Sequence, residues 1–144
     1  MIKTFKYKLY NSKRNKHLHD QINTCCWIYN HCISVHKRYY KLYGKSLHKY
    51  KLQKHLTKLK KLSKYSKWKT VGSQAINDIT NRIDRGYRLF FNKKALHLPG
   101  YKGRGKYKSF TLSQCGYKLL ENNGLIINIL QNDLRQKSFN RNKW

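Results

Sequence analysis

The feature that most constrains this chain is the imbalance between its positive and negative charges. Lysine and arginine number 33 among 144 residues, whereas aspartate and glutamate number 5, and the formal net charge is +28. Because like charges at this density repel one another in a compact state, we expect the folded chain to bind a polyanion. Aromatic residues make up 14% of the sequence and supply surfaces on which bases can stack. A nucleotide bias of the genome explains part of the lysine excess but not the scarcity of acids, so nucleic acid is the expected partner.

Length and residue usage limit the other possibilities. A chain of 144 residues suits one ordinary domain or two small linked subdomains. The sequence has no apolar run of about 18 residues and no apolar signal-peptide core, which predicts an intracellular protein with no membrane partner. The four cysteines, Cys25, Cys26, Cys32 and Cys115, form no C-x-x-C pair. We interpret them as small buried residues in a reducing compartment rather than as disulfides.

Helical periodicity dominates the first two thirds of the chain. Apolar residues at spacings of three and four predict a long helix over residues 13–43, which Gly44 ends. A second helix is expected from Ser46, and a third helix capped by Ser73. The residues predicted to face inward are Tyr50, Leu52, Leu56, Leu59 and Leu62 on the second helix and Ile76, Ile79, Ile83, Tyr87, Phe90 and Phe91 on the third. The stretch between these two helices, "SKYSKWKTVG", is interpreted as a connection.

Extended segments are predicted on both sides of this helical region. Residues 3–10 alternate between apolar and basic side chains, which is typical of a half-buried strand. Residues 109–112 and 117–120 are also expected to be extended, and Asn123-Gly124 between two apolar runs predicts a tight hairpin. Because a lone N-terminal strand cannot satisfy its own backbone groups, we expect it to pair with the later strands. The predicted fold class is therefore α+β, a small antiparallel β domain interrupted by a three-helix insertion.

This organisation divides the chain into four parts. Residues 1–11 are the first strand of the β domain and residues 12–95 are the helical insertion. Residues 96–131 return to the β domain as strands and a hairpin, and residues 132–144 form a basic tail.

The glycine-rich segment "LPGYKGRGKYKSF" allows two interpretations. Gly100, Gly105 and Lys106 match the start of a phosphate-binding P-loop, but Tyr107 stands where Ser or Thr must bind magnesium, and no helix pattern follows. A nucleotide-binding enzyme is therefore not expected, and we predict no cofactor. The alternatives are a flexible solvated loop or a surface that binds nucleic acid. For the second, the expected backbone contacts are Lys102, Arg104, Lys106 and Lys108, and the expected stacking residues are Tyr101 and Tyr107.

Catalytic and metal sites find little support in the sequence. Two-metal phosphodiester chemistry needs several converging carboxylates, and this chain has only Asp20, Asp78, Asp84, Glu121 and Asp133. We therefore expect no enzyme activity from this chain. Cys32 and His36, spaced i and i+4, could hold a zinc ion, but two further ligands would be required, so a packed helix face is the preferred interpretation.

Uncharged polar residues could contact base edges. Ser73, Asn77 and Asn81 lie on one face of the third helix, and Gln53 lies on the second. The competing interpretation is a helix cap followed by ordinary solvent exposure, and the sequence alone favours it.

Four motifs together resemble the N-terminal half of TnpB, the OrfB-type family of bacterial insertion sequences with relatives in giant viruses. The motifs are "KYKLYNS", "CWIYNHCI", "SQAINDITNRIDRGYRLFF" and "LPGYKGRGKYKSF", which occur in the family's order over about residues 3–130. Two positions depart from the family pattern: Cys26 stands where a basic residue is usual and Asn11 where Pro is usual. Full-length members of this family are RNA-guided DNA endonucleases related to type V CRISPR effectors.

The resemblance implies an oligonucleotide-binding-like β barrel, the wedge domain, split by a helical recognition lobe. It implies that these parts hold a guide RNA and bind a short double-stranded DNA motif. Carried over by position, the residues expected to contact DNA are Lys49, Gln53, Ser73, Asn77 and Thr111. Lys6, Lys8, Lys54 and Arg85 join the four cations of the glycine-rich segment as expected contacts to the nucleic-acid backbone.

The chain departs from the family at its end. Family members continue into a RuvC-like nuclease with three carboxylates and a zinc-binding insertion, whereas "QNDLRQKSFNRNKW" no longer follows the pattern. We therefore expect a truncated, transposon-associated protein with an incomplete wedge that binds DNA, and also guide RNA, without its own nuclease. The alternatives are the binding subunit of a split RNA-guided nuclease, with the nuclease on a separate chain, or a stand-alone DNA-binding regulator of the element.

Overall fold

A computed structural model describes residues 16–112, together with the backbone of residues 117–119 and 125–127. The remaining residues lie outside this description. They include several predicted features: the first strand with Lys6 and Lys8, Cys115, the Asn123-Gly124 turn and the tail over residues 132–144.

The first helix, α1, runs from Lys16 to Tyr43 and confirms the predicted long helix over the described residues, while residues 13–15 of the prediction lie outside them. It ends at Gly44, whose φ of 63° lies in the left-handed region that glycine adopts without a steric penalty. The Gly44 amide donates a hydrogen bond to the Tyr40 carbonyl oxygen at 2.8 Å. The predicted glycine end of this helix is therefore confirmed.

The second helix, α2, is shorter than its sequence pattern suggests and spans Lys49–Leu59. Leu52 and Leu56 are buried, as predicted, and Leu59 packs against the core. Tyr50 and Leu62 are 62% and 53% exposed, so their predicted inward orientation is wrong. The physical reason is that Leu62 follows the end of the helix, while Tyr50 lies at its first turn on the outer side.

A 3-10 segment, Ser63–Thr70, connects α2 to α3 and is interrupted at Tyr65 by non-helical backbone. The segment is not merely a connection, because Trp68 is buried in the core. Lys60 contributes to the same join, since its Nζ donates a hydrogen bond to the Val71 carbonyl oxygen at 3.0 Å. Burial of this ammonium group lowers the pKa of Lys60.

The third helix, α3, spans Ser73–Phe91. Gly72 occupies the N-cap position, so the predicted capping role of Ser73 is wrong. The predicted inward face is confirmed for four of its residues, Ile76, Ile79, Ile83 and Tyr87, which are buried. Phe91 is 43% exposed, so the apolar face weakens at the last turn of the helix.

The three α-helices share one core. Helix α3 packs against both α1 and α2, and the 3-10 segment packs against α1. The core combines residues of α1 such as Ile28 and Ile33 with Leu52 of α2 and Ile79 of α3, all of which are fully buried. Helix α3 is therefore the element that positions its two neighbours.

The predicted fold class is wrong: the described part of the chain is helical rather than an α+β domain with an antiparallel oligonucleotide-binding-like wedge. Residues 16–112 contain no strand, and the only pairing elsewhere in the described backbone joins β1, Tyr117–Leu119, to β2, Leu125–Ile127, in antiparallel register. Residues 109–112 were expected to form a strand. Instead, side chains of α3 bind their backbone: Arg82 donates to the Ser109 carbonyl oxygen at 3.1 Å, and the Thr111 amide donates to Asp78 at 3.1 Å.

Candidate nucleic-acid interface

Helix α3 carries a continuous line of exposed polar and basic side chains, which we call the α3 ridge. The ridge comprises Ser73, Asn77, Asn81, Arg85 and Arg88, all of them exposed. Its first four members repeat at every fourth residue, which keeps them on one face of the helix. At 1.5 Å per residue, Ser73 and Arg85 lie about 18 Å apart along the helix axis. The ridge is thus long enough to follow several base pairs.

On one side, α2 supports the ridge through two side-chain hydrogen bonds. The Lys49 Nζ donates to the Asn81 Oδ1 at 3.4 Å, and the Gln53 Nε2 donates to the Thr80 Oγ1 at 2.9 Å. The Thr80 hydroxyl in turn donates to the Asn77 carbonyl oxygen at 2.9 Å. These bonds fix the rotation of α2 against the middle of α3.

On its other side, α3 binds the chain that follows the glycine-rich segment. Arg82 forms an ion pair with Asp78, one turn earlier, at 2.8 Å. The same guanidinium group donates to the Ser109 carbonyl oxygen, while Asp78 accepts from the Thr111 amide. This carboxylate and this guanidinium group therefore hold residues 109–111 along α3.

The structure brings four of the five residues that were expected to contact DNA to the same region. Lys49 and Gln53 contact the turn of α3 that contains Asn77, and Thr111 binds the opposite flank of that turn. Ser73 lies one turn earlier on the same face and makes no contact with this group in the described residues. The sequence did not indicate the supporting residues Thr80 and Arg82, because their partners are 27 residues away in the chain.

The basic segment over residues 98–108 is docked on α1. The side-chain amide of Asn30 forms two hydrogen bonds with the segment: it donates to the Lys102 carbonyl oxygen at 2.8 Å and accepts from the Lys102 amide at 2.9 Å. The Tyr29 hydroxyl donates to the Gly100 carbonyl oxygen at 3.3 Å. On the opposite side, Pro99 lies so close to α3 that only a glycine, Gly86, fits beneath it. These contacts favour a docked segment over the flexible, solvated loop.

The cations expected to contact the nucleic-acid backbone are exposed wherever the structure describes them. This holds for Lys54 on α2, Arg85 on α3, and Lys102, Arg104, Lys106 and Lys108 of the docked segment. Within residues 16–112 the ion pairs are Arg82 with Asp78 and Arg88 with Asp84, and both lie on α3. The cations of residues 102–108 therefore have no carboxylate partner in the described part of the chain.

The two tyrosines predicted to stack on bases have different environments. Tyr101 is 54% exposed, and the Lys37 Nζ lies 4.3 Å from the centroid of its ring. Tyr107 is buried, with its ring centroid 5.5 Å from that of Tyr29 and 5.6 Å from the Arg82 guanidinium carbon. The prediction that Tyr107 stacks on a base is wrong, because its ring anchors the segment in the core. Burial also raises the pKa of the Tyr107 hydroxyl.

The cysteines and histidines do not form a metal centre in the described residues. No group of three or more His, Cys, Asp or Glu side chains there has metal-binding geometry. Cys25, Cys26 and Cys32 are buried free thiols, and burial raises the pKa of Cys25 and Cys32 to about 12. His36 stacks on Tyr87 with ring centroids 4.6 Å apart, and burial lowers its pKa to about 4. Cys32 and His36 are both buried, as the interpretation of a packed helix face predicts.

Comparisons with known proteins add no assignment. No protein-family model matches this chain, and no curated protein matches it. Among the described residues, no helix combines the length and apolar character needed to cross a membrane.

Proposed function

We propose that this chain binds double-stranded DNA, with the α3 ridge in the major groove and the flanking cations on the phosphates. The observation that carries the proposal is the position of the ridge. It lies between α2 and the docked basic segment, and hydrogen bonds from both sides hold it in place. Each flank adds exposed cations, Lys54 from α2 and Lys102 to Lys108 from the segment.

The side chains of the α3 ridge are of the kinds that distinguish base pairs. The major groove is about 12 Å wide and admits an α-helix, and within it asparagine pairs with adenine and arginine with guanine. Asn77, Asn81 and Arg85 supply these groups on one exposed line. The lysines on the flanks orient the duplex without selecting its sequence, because phosphates are the same at every position.

The resemblance to TnpB extends this proposal to a biological setting. In that setting the chain is transposon-associated and binds a guide RNA as well as DNA. The family also offers the two alternatives of a binding subunit for a separate nuclease chain and a stand-alone regulator of the element. RNA that co-purifies with the protein discriminates among them: one discrete species supports a guide-binding role, whereas random RNA reflects charge alone.

The test measures duplex affinity by fluorescence anisotropy over a range of salt concentrations, with duplexes selected from a random pool. The variant K102A/R104A/K106A should make the dependence of log K on log salt shallower by about 0.9 for each phosphate that the variant no longer neutralises. The variant N81A/R85A should instead flatten the preference for selected over random duplex by about 5-fold or more, since one good base contact contributes roughly 1–3 kcal/mol.

The matched control is K58A/K61A/K64A, which removes three exposed cations where α2 meets the 3-10 segment. It carries the same change of charge as K102A/R104A/K106A but lies outside the α3 ridge, the docked segment and the outer face of α1. We expect its salt dependence to stay closer to that of the unmodified protein. If both triple variants reduce the slope equally, the binding is diffuse and the proposed interface is refuted.

A further inference from the structure

We propose that the outer face of α1 is a second binding surface, which stacks the unpaired bases of a single-stranded nucleic acid. It adds to the proposed function and uses residues other than the α3 ridge. The surface is built from two exposed aromatic rings, Trp27 and Tyr101, each with a lysine ammonium group near its face.

Trp27 is the largest of the exposed side chains on α1. Its side chain is 55% exposed although its neighbours Cys26 and Ile28 are buried. The Lys67 Nζ, from the 3-10 segment, lies 5.8 Å from the indole ring. An exposed indole beside an ammonium group offers a flat apolar face and a phosphate partner at the same place.

Tyr101 repeats this arrangement further along the same helix face. Its ring is 54% exposed, with the Lys37 Nζ 4.3 Å from the ring centroid. The tyrosine hydroxyl lies 3.2 Å from the Ser34 Oγ, which places the ring over α1. Ser34 follows Trp27 by seven residues, or two turns, so the two rings lie on one side of α1 about 10 Å apart along its axis.

The ring of Tyr101 is held in position before any ligand binds. The double hydrogen bond between Asn30 and the Lys102 backbone fixes the residue next to Tyr101, and Asn30 itself lies between Trp27 and Ser34 on α1. A preorganised pair of rings loses little conformational freedom when it binds a strand.

The charge of this face selects the chemistry of the ligand. Among the described residues, Asp20 is the carboxylate on the outer side of α1, and it precedes Trp27 by two turns. The ammonium groups of Lys37 and Lys67 lie near the Tyr101 and Trp27 rings, respectively. A ligand with one negative charge and one flat apolar face per repeating unit matches this pattern, and a nucleic-acid strand with unpaired bases has that composition.

The experiment compares three ligands of equal length: a single strand with bases, an abasic strand with the same phosphates, and a duplex. Trp27→Ala should weaken binding of the single strand with bases by roughly 5- to 150-fold, the range expected for one stacked base. Binding of the abasic strand and of the duplex should change less than about 2-fold. Trp27→Phe retains an aromatic face and should recover most of the affinity.

Tyr50→Ala is the matched control, because Tyr50 is also an exposed aromatic residue with a lysine, Lys49, near its ring. It lies on α2 and should leave single-strand affinity unchanged. Oligouridylate and oligothymidylate are compared as the single strand, and tighter binding of one identifies RNA or DNA as the source of the unpaired bases.

Two results would overturn the inference. One is an unmodified protein that binds the abasic strand as tightly as the strand with bases. The other is a loss on Trp27→Ala that is equally large for polyglutamate, which would assign this face to acidic peptides. Either result leaves the proposed function intact if duplex binding still depends on Asn81 and Arg85. A protein that binds no duplex refutes the proposed function instead, while the stacking test still applies to the single strand.

Discussion

The contact between Gly86 and Pro99 gives the sharpest test of how the basic segment is docked. A Cβ atom added at Gly86 would lie 2.6 Å from the Pro99 Cγ, far inside van der Waals contact. The Pro99 ring cannot rotate away as a flexible side chain would, so either the segment or α3 must move. Gly86→Ala is therefore expected to loosen the segment that carries Lys102, Arg104 and Lys106.

Two opposing effects determine how much Gly86→Ala changes the free energy of unfolding. Within a helix, replacing glycine by alanine normally stabilises a protein by about 1 kcal/mol. Overpacking at a close contact costs about 1–3 kcal/mol. Gly86→Ala should therefore lower the free energy of unfolding by between about 0 and 2 kcal/mol, although the same substitution in an exposed helix would raise it.

A double-mutant cycle separates the two effects. Pro99→Ala removes the Cγ atom but keeps the Cβ atom, which lies at an ordinary 3.6 Å from the added methyl group. In the Pro99→Ala background, Gly86→Ala should thus stabilise the protein by about 1 kcal/mol. The free energies come from urea denaturation of the four proteins, and trypsin cleavage within residues 102–106 reports detachment of the segment.

The sign of the effect decides the outcome. If Gly86→Ala stabilises the protein equally in both backgrounds, Pro99 does not pack on Gly86 and the docking of the segment on α3 is refuted. If Gly86→Ala also weakens duplex binding in the Pro99 background alone, the orientation of the segment is needed for binding.

Two further predictions concern stability. Arg82→Ala should lower the free energy of unfolding by roughly 1–3 kcal/mol, because this guanidinium group joins α3 to the chain beyond residue 107. Arg88→Ala should cost less than about 1 kcal/mol in urea denaturation, because the Arg88 side chain is 69% exposed and its partner is the Asp84 carboxylate one turn earlier. Burial lowers the pKa of His36 to about 4 in the folded protein, so as the pH falls the unfolded chain takes up a proton before the folded protein does. The free energy of unfolding should therefore be fully retained above pH 6.5 and fall by roughly 2–3 kcal/mol as the pH drops toward 4.

Each of these has its own contradicting result. Equal costs for Arg82→Ala and Arg88→Ala would mean that the bond to residue 109 contributes nothing. For the second, His36→Leu keeps an apolar side chain on Tyr87 but cannot be protonated. An unchanged pH dependence of unfolding in this variant would place the titrating group elsewhere.

The sequence predicts the three helices and the antiparallel pairing of residues 117–119 with 125–127, but not the conformation of residues 109–112. Apolar periodicity identified α1 and α3 because each buries one long face, and Gly44 marked the end of α1 through its left-handed backbone. Periodicity failed at Tyr50 and Leu62, since α2 is short and only its central residues reach the core. The extended pattern near residue 109 was misleading because backbone groups need partners, and the side chains of Arg82 and Asp78 supply them in place of a strand.

The sequence predicted which residues make up the candidate site but not the contacts that hold them in place. Exposed asparagines four residues apart are visible in the sequence, and so is the cationic segment. The burial of Tyr107 is not visible in the sequence, because Tyr107 and the exposed Tyr101 both stand beside lysines in the same basic segment. The two hydrogen bonds between the Asn30 side chain and the Lys102 backbone join residues 72 positions apart, and no local sequence pattern indicates such a contact.

The scarcity of acids and the docking of the basic segment have one physical consequence in common. Asp78 and Asp84 both pair with an arginine one turn later on α3, so they stabilise this helix rather than neutralise the segment. Other contacts between elements, such as Asn30 with the Lys102 backbone and Gln53 with Thr80, bring no carboxylate to the segment. The repulsion among the cations of residues 102–108 is therefore not relieved by carboxylates in the described residues. Because an anion that binds only the folded state stabilises it, a bound nucleic acid would both satisfy these cations and strengthen the fold that presents them.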